Sequence, residues 1–335
     1  GGVAQSFAEL LLAKERELHD EYNTEIKVVA ITTKTRGIQV DAWGIDLERA
    51  LFIKQNGKFP LAERQPLQTT ALEVAEQVEY DVLIEMTPLE YADGRLATEH
   101  VRAALKRGKH VICINKGPLA WHYKELCDLA EKNNVMFRFE ASVLNGVPLF
   151  SLVRENFKFC QVTEIKGILS RTLNLLTSGM EDGKDPKDIM AEGKKLGYIE
   201  ANPKNDLNGT DSLMKMVALA NALMGADMTP ADVESKIVGC GEAITPEAIA
   251  DAASRDMVIK YMCHAYREDG KVKVKVGPEE ISKYDAYATV RGSSVAASIT
   301  TDLMGTVTVS EKEANLKSPA YGVFADLLSI IESLN

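Results

Sequence analysis

Apolar positions along the chain recur in two rhythms, and the change falls near residue 150. Up to that point short apolar runs alternate with helical stretches. GVAQSFAELLLAKERELHDEY sets Phe7, Leu10, Leu11 and Leu18 on one helical face. Glu25 to Ile31 (EIKVVAI), Tyr80 to Glu85 (YDVLIE), His110 to Asn115 (HVICIN) and Val135 to Glu140 (VMFRFE) read as strands. The segment through Glu99, Val101, Ala104 and Leu105 reads as a helix closed by Arg107-Gly108. Strands separated by helices predict βαβ units and a parallel sheet. Residues 41–76 interrupt this order as a variable excursion. Beyond residue 150, VTEIKGILS, VIKYMCHAYRE, KVKVKVGPEEI and YATVRGSSVAASITTD alternate or run apolar, and Asp269-Gly270 is a hairpin dipeptide; a mostly antiparallel or mixed sheet follows. Helices are expected over Ser212–Met228, from Thr245-Pro246 onward, and over Ser318–Leu334. The fold class is α/β, a Rossmann-type parallel-sheet domain plus a second, α+β domain.

The densest chemistry lies in Gly197 to Lys215, GYIEANPKNDLNGTDSLMK. Asn202, Pro203, Asn205, Asn208 and Gly209 mark an irregular loop, and Thr210 or Asp211 is the expected N-cap of the helix that follows. Asp211 and Lys215 then share a helical face. Such an i,i+4 pair is ordinarily solvated and worth a few tenths of a kcal/mol, roughly. Here Leu213, Met214, Met216, Val217 and Leu219 make the helix apolar around most of its circumference, so the lysine is expected to look into a cleft. Burial opposes its charge while Glu200 and Asp211 support it, which leaves the sign of its pKa shift open.

The first residues carry half of a dinucleotide fingerprint. Gly1, Gly2, Val3 and Ala4 fit the second half of G-x-G-x-x-G/A at a helix start, and the strand and first glycine that belong before it are expected to lie outside these residues. After Ile31 no acid stands ready for a ribose 2′-hydroxyl. Lys34 and Arg36 can face a 2′-phosphate instead, which favours NADP over NAD; two solvated loop cations are the plainer reading. Ligands in such sheets sit beyond the carboxyl ends of strands, which places Thr87 and Lys116 in the cofactor crevice.

These motifs resemble the homoserine dehydrogenase family. Its signature, G-Y-x-E-x-D-P-x-x-D-x-x-G-x-D followed three residues later by Lys, is matched by Gly197, Tyr198, Glu200, Pro203, Asp206, Gly209, Asp211 and Lys215, with Asn202 departing. The segment N-K-G-P-L-A at 115–120 matches throughout. Residues 140–148 fit E-A-[ST]-V-G-x-G-[IL]-P apart from Leu144 and the mild change to Val147, and Val290 to Gly305 resembles the family's closing strand and turn. The resemblance implies reversible hydride transfer between a nicotinamide and L-aspartate 4-semialdehyde or L-homoserine, a step toward threonine and methionine. Lys215 is implied as acid/base and Lys116 as a second catalytic residue. Glu200, Asp211 and Thr172 would bind substrate, and Gly322 would lie near the cofactor. A monovalent cation, usually sodium, is implied at Glu140, Val143, Asn145 and Val147, held mainly by backbone oxygens; a bend in the chain is the plainer reading. Residues 1–148 are assigned to the dinucleotide domain with 307–335 returning to it, and 149–306 to substrate binding and homodimer contact. No regulatory ACT domain is expected.

Composition narrows the class. The 335 residues are 45% hydrophobic and 26% charged with a net charge of −10, which argues against nucleic acid or an anionic membrane as partner. No apolar run of membrane-spanning length and no basic-led signal peptide occurs, so a cytoplasmic protein is expected. Cys113, Cys127, Cys160, Cys240 and Cys263 form no C-x-x-C pair, and five histidines lack metal-ligand spacing; free thiols and structural imidazoles follow. Two alternatives stand beside the main reading. Leu144, Ser170, Arg171 and Asn202 depart from the family pattern and motivate a related oxidoreductase acting on another amino or hydroxy acid. A dinucleotide-binding sensor without turnover is the other, and retention of Lys116, Glu200, Asp211 and Lys215 argues against it.

Overall fold

A 21-residue helix, α1 (Gly2–Tyr22), opens the chain and buries Phe7, Leu11 and Leu18. The computed structural model describes residues 1–52, 68–200, 202–234, 237, 239, 244–313, 315 and 317–334. The chain divides into two units. Unit one holds Gly1–Pro118, His122–Gly146 and the C-terminal segment; unit two holds Leu119–Trp121 and Val147–Asn315.

In unit one, β1 (Ala30–Thr33) and β2 (Gly37–Val40) are followed by α2 (Leu47–Phe52), α3 (Ala71–Gln77), β3 (Val82–Glu85), α4 (Arg95–Lys106), β4 (His110–Cys113), α5 (Lys116–Trp121), α6 (Tyr123–Lys132) and β5 (Phe137–Arg138). Strands β3, β4 and β5 form the parallel sheet, with Val82 opposite His110 and Val111 opposite Phe137. Its strands end together at one edge. The terminal helix Lys317–Leu334 packs Ala320, Val323, Phe324, Leu327 and Ile330 against Phe7, Leu11 and Leu18 of α1 and Ile112 of β4, which forms the core of this unit.

Glu25 to Ile31 does not join that sheet. Only Ala30–Thr33 is strand, and it pairs antiparallel with Gly37–Val40 in a separate hairpin. The turn explains the change: Thr33 Oγ1 accepts the Arg36 N–H at 2.8 Å, and Gly37 adopts φ +92°. Further up, the carbonyls of Val28 and Val29 accept from Ile45 and Asp41, each at 2.8 Å, so the returning chain uses the backbone groups a parallel neighbour would need.

Unit two continues with α7 (Phe150–Asn156), β6 (Val162–Ile168), α8 (Arg171–Glu181), α9 (Pro186–Lys195), α10 (Lys204–Leu207), α11 (Thr210–Met224), α12 (Pro246–Ser254) and strands β7 (Met257–Glu268), β8 (Lys271–Ser282), β9 (Val295–Thr301) and β10 (Gly305–Glu311). The sheet order is β10-β9-β6-β7-β8, and every pairing is antiparallel. Asp269 and Gly270 both take positive φ, 51° and 75°, as the two-residue turn between β7 and β8 requires. YATVRGSSVAASITTD is not one strand: Ala286–Thr289 forms a short 3₁₀ turn capped by Asp285, and β9 starts at Val295.

Three boundaries shift from expectation. Residues 305–311 are the edge strand of this sheet, so the helix that returns to unit one starts at Lys317 rather than 307. The division falls between Gly146 and Val147 rather than after residue 148. The helix expected over Ser212–Met228 runs from Thr210 to Met224, with left-handed glycines, Gly209 and Gly225, as its caps in place of Thr210 or Asp211.

Candidate active site

Helix α11 buries Leu213, Met214, Met216, Val217 and Leu219, and this carries Asp211 and Lys215 into the packed body of unit two. Their side chains are 7% and 16% exposed, so the pair is not a solvated surface bridge. The Lys215 ammonium donates to the Leu169 carbonyl at 2.8 Å and pairs with Asp211 Oδ2 at 2.9 Å. Burial by itself lowers the Lys215 pKa. The charge and hydrogen bond of Asp211, with the charge of Asp206 behind them, outweigh it and leave the pKa above the ordinary lysine value. Lys215 therefore stands protonated at neutral pH. Burial also pushes the neighbouring Cys263 thiol up to about 12, so the sulfur stays neutral.

Asp206, whose charge also raises the Lys215 pKa, accepts a hydrogen bond from Thr172 Oγ1 at 2.8 Å. Thr172 is buried in the first turn of α8 because Ser170 caps that helix, its Oγ accepting the Leu173 N–H at 3.2 Å. Ser170 and Arg171, departures from the family pattern, thus have a local reason: cap and first helical residue. Glu200 is exposed, and among the described residues no hydrogen bond joins it to this group. The second acid beside the lysine is Asp206, visible in the sequence as another in-register acid of the same signature. Gly209 sets the start of α11: its φ is +82°, and a Cβ there would lie 2.0 Å from the Tyr261 hydroxyl.

Unit one holds the other predicted positions. Gly1 precedes α1 with open space where a Cβ would stand, and no side chain caps the helix start. The Arg36 charge acts on the backbone nitrogen of Gly1, which puts Arg36 near this helix start; Lys34 is exposed in the adjacent turn. Thr87 follows β3, and its Oγ1 is buried without a hydrogen-bond partner among the described residues. Lys116 is the first residue of α5, after β4, and Asn115 caps that helix. An uncapped helix N-terminus, a nearby guanidinium and an orphaned hydroxyl at the strand ends fit an anionic dinucleotide.

Gly322 has a packing role. A Cβ there would meet Ala141 Cβ at 3.0 Å and Gly146 Cα at 3.1 Å, so the glycine lets the terminal helix close on the turn after β5. In that turn the Glu140 N–H donates to Asp326 Oδ2 at 2.8 Å and the Gly146 N–H to Ser318 Oγ at 3.0 Å. Val143 is buried and Asn145 takes φ 55°, while Val147 falls in unit two. Among the described residues no group of three or more His, Cys, Asp or Glu could hold a metal. Cys113, Cys127, Cys160 and Cys263 are free thiols, and Cys240 lies outside the described residues. Among the described residues no helix is long and apolar enough to cross a membrane.

Comparison with known proteins agrees along the whole chain. Residues 148–328 match the family model described as homoserine dehydrogenase, and residues 1–140 the one described as homoserine dehydrogenase, NAD binding domain. The chain is 34% identical over 335 residues to a homoserine dehydrogenase of Methanocaldococcus jannaschii, covering 99% of this chain and 97% of that one. It is 32% identical over 336 residues to an NAD(+)-dependent homoserine dehydrogenase of Pseudomonas canavaninivorans, covering 99% and 94%. A solved structure from Archaeoglobus fulgidus, provisionally assigned as a homoserine dehydrogenase, superposes with TM-score 0.85 at 32% identity, covering 99% and 97%.

Proposed function

We propose that this chain, which belongs to the homoserine dehydrogenase family, catalyses the reversible NAD(P)-dependent reduction of L-aspartate 4-semialdehyde to L-homoserine. The observation that carries this reading is the buried Lys215, held protonated by Asp211 and Asp206 within the signature stretch. The bound nicotinamide supplies the hydride. Lys215 supplies the proton: its ammonium, fixed between Asp211 Oδ2 and the Leu169 carbonyl, donates to the oxygen that gains negative charge as the aldehyde is reduced. In the oxidative direction the same group receives the proton back. Asp211 and Glu200 bind the substrate's ammonium. Thr172, held by Asp206, gives a hydroxyl beside them.

On the dinucleotide side, Gly1 to Ala4 receive the pyrophosphate at the start of α1, and Thr87, Lys116 and Gly322 belong to the crevice beyond the strand ends. Lys116 assists at the reacting oxygen. Lys34 and Arg36 favour the 2′-phosphate of NADP, and the closeness of Arg36 to the helix start supports this. The enzyme works in the cytoplasm as a homodimer, in the biosynthesis of threonine and methionine, with the antiparallel sheet of unit two as the contact surface. A sodium ion at the carbonyls of Glu140, Val143, Asn145 and Val147 has a structural role. The deciding assay follows nicotinamide absorbance with L-homoserine and NADP or NAD in parallel. Turnover is expected with both and faster with NADP. Dinucleotide binding without homoserine oxidation would overturn the substrate assignment and turn attention to Arg171.

A further inference from the structure

Asn115 stands just after β4, and its amide is used at both ends. Oδ1 accepts the Gly117 N–H at 2.9 Å and caps the helix that begins at Lys116. Nδ2 donates to the Thr87 carbonyl at 3.0 Å and more loosely to that of Pro88 at 3.4 Å. The residue is 5% exposed, so these bonds are shielded from water. One side chain therefore straps together the loops that follow two parallel strands.

Each loop is fixed a second time. The Thr87 N–H donates to Glu85 Oε1 at 2.6 Å, and Glu85 Oε2 lies 2.7 Å from His100 Nδ1, with both side chains buried. Glu85 stands opposite Cys113 in the β3–β4 ladder, so both loops leave the same edge of the sheet. The Lys116-Gly117 turn is also pressed against Gly94, whose φ is +62° and whose Cβ, if it had one, would lie 2.7 Å from the Gly117 carbonyl carbon. The backbone at the root of the Lys116 side chain is thus held by the Asn115 amide and by the Gly94 contact.

We propose that Asn115 is a positioning residue for the reaction: its amide holds the Lys116 backbone at a fixed offset from Thr87, and so presents the Lys116 ammonium to the reacting end of the dinucleotide. The proposal rests on the reading of Lys116 as a catalytic residue facing the cofactor. A lysine has a flexible four-carbon stem, so the fixed point of its reach is its own backbone, and an error of an ångström there is costly to rate. Asparagine suits the task because one group offers an acceptor for the cap and a donor for the strap. Aspartate caps equally well but sets a carboxylate against two carbonyls. Serine caps without reaching Thr87.

The test compares Asn115→Ser, Asn115→Asp, Lys116→Ala and the double variant Asn115→Ser/Lys116→Ala in the full enzyme, reading kcat, the KM for L-homoserine and the thermal melt. Asn115→Ser and Asn115→Asp should melt cooperatively, with kcat lower by about tenfold or more and KM little changed. In the Lys116→Ala background, Asn115→Ser should add no further loss. Wild-type kcat in folded Asn115→Ser overturns the inference, and so does an equal fold-loss in both backgrounds, which a general structural role would give. If Asn115→Asp alone fails to fold, Asn115→Ser carries the test; failure of both assigns the residue to the fold and overturns the proposal. Full activity of Lys116→Ala would remove the reading of Lys116 itself, whereas an impaired Lys116→Ala beside an unimpaired Asn115→Ser would remove only the role of Asn115.

Discussion

Lys215 and Lys116 are placed by different physics. Lys215 is held through its own ammonium, which a carbonyl and a carboxylate fasten inside an apolar helix packing. Lys116 is placed through its backbone, where a capping amide, a strand-end loop and a glycine contact fix the chain on either side. The first arrangement tunes a proton and the second tunes a distance. Substitutions that alter charge should therefore act strongly on Lys215, and substitutions that alter backbone hydrogen bonds should act on Lys116.

Removing the charged group gives the largest expected effect. Lys215→Ala should lower kcat by on the order of 10³-fold, inside the range for loss of a positioned proton donor, while leaving dinucleotide affinity nearly intact. Steady-state rates and a fluorescence titration of NAD(P)H check both halves, and unchanged turnover would remove Lys215 as the acid/base.

Asp211→Asn tests the tuning and should act less severely. With the carboxylate gone, burial regains weight and the Lys215 pKa falls. The basic limb of the kcat profile for aldehyde reduction should move to lower pH, as loss of an opposite charge requires. Stability gives the same sign by another route. Because the folded Lys215 pKa is raised, the pair's contribution is fully present below the unfolded lysine value, about 10.4, and is lost as pH rises through the higher folded value. The wild-type melting temperature should therefore decline in that alkaline window, and the decline should be weaker in Asp211→Asn. An unmoved limb would mean that Asp211 binds without tuning.

The two settings were not equally legible in the sequence. Asp211 and Lys215 could be read from an i,i+4 spacing inside an apolar run, because helical periodicity fixes which side chains share a face. Asp206 stood in the same signature and was missed as a partner, since only the packing of α10 beside α8 brings it to Thr172. The terminal helix and the β7–β8 hairpin followed directly from periodicity and from Asp269-Gly270. The strand at Glu25 to Ile31 did not, because its apolar pattern is equally satisfied by a hairpin with Gly37–Val40, and pattern alone does not name a partner. Asn115 was visible only as a letter in a matched motif; its strap joins residues 28 positions apart, which no local spacing reveals. Ser170 misled for the opposite reason, reading as a departure from a family pattern where it is a helix cap.

The smallest expected effect lies at the hairpin turn of unit one. Lys34 is exposed and Arg36 half-buried, in the turn that brings Arg36 close to the start of α1. Water and salt weaken interactions of exposed charges, so this pair should contribute less than the buried cluster in unit two. Lys34→Ala/Arg36→Ala should weaken NADPH binding by about three- to tenfold and leave NADH binding almost unchanged, because only the former offers a 2′-phosphate for charge-assisted hydrogen bonds. The selectivity should shrink further as ionic strength rises. Titrating both reduced cofactors against wild type and variant at two salt concentrations separates the outcomes. Equal losses for NADPH and NADH would deny the phosphate contact and show that the guanidinium serves the helix start alone; loss confined to NADPH would show that dinucleotide choice in this unit rests on charge even though the placing of Lys116 rests on backbone.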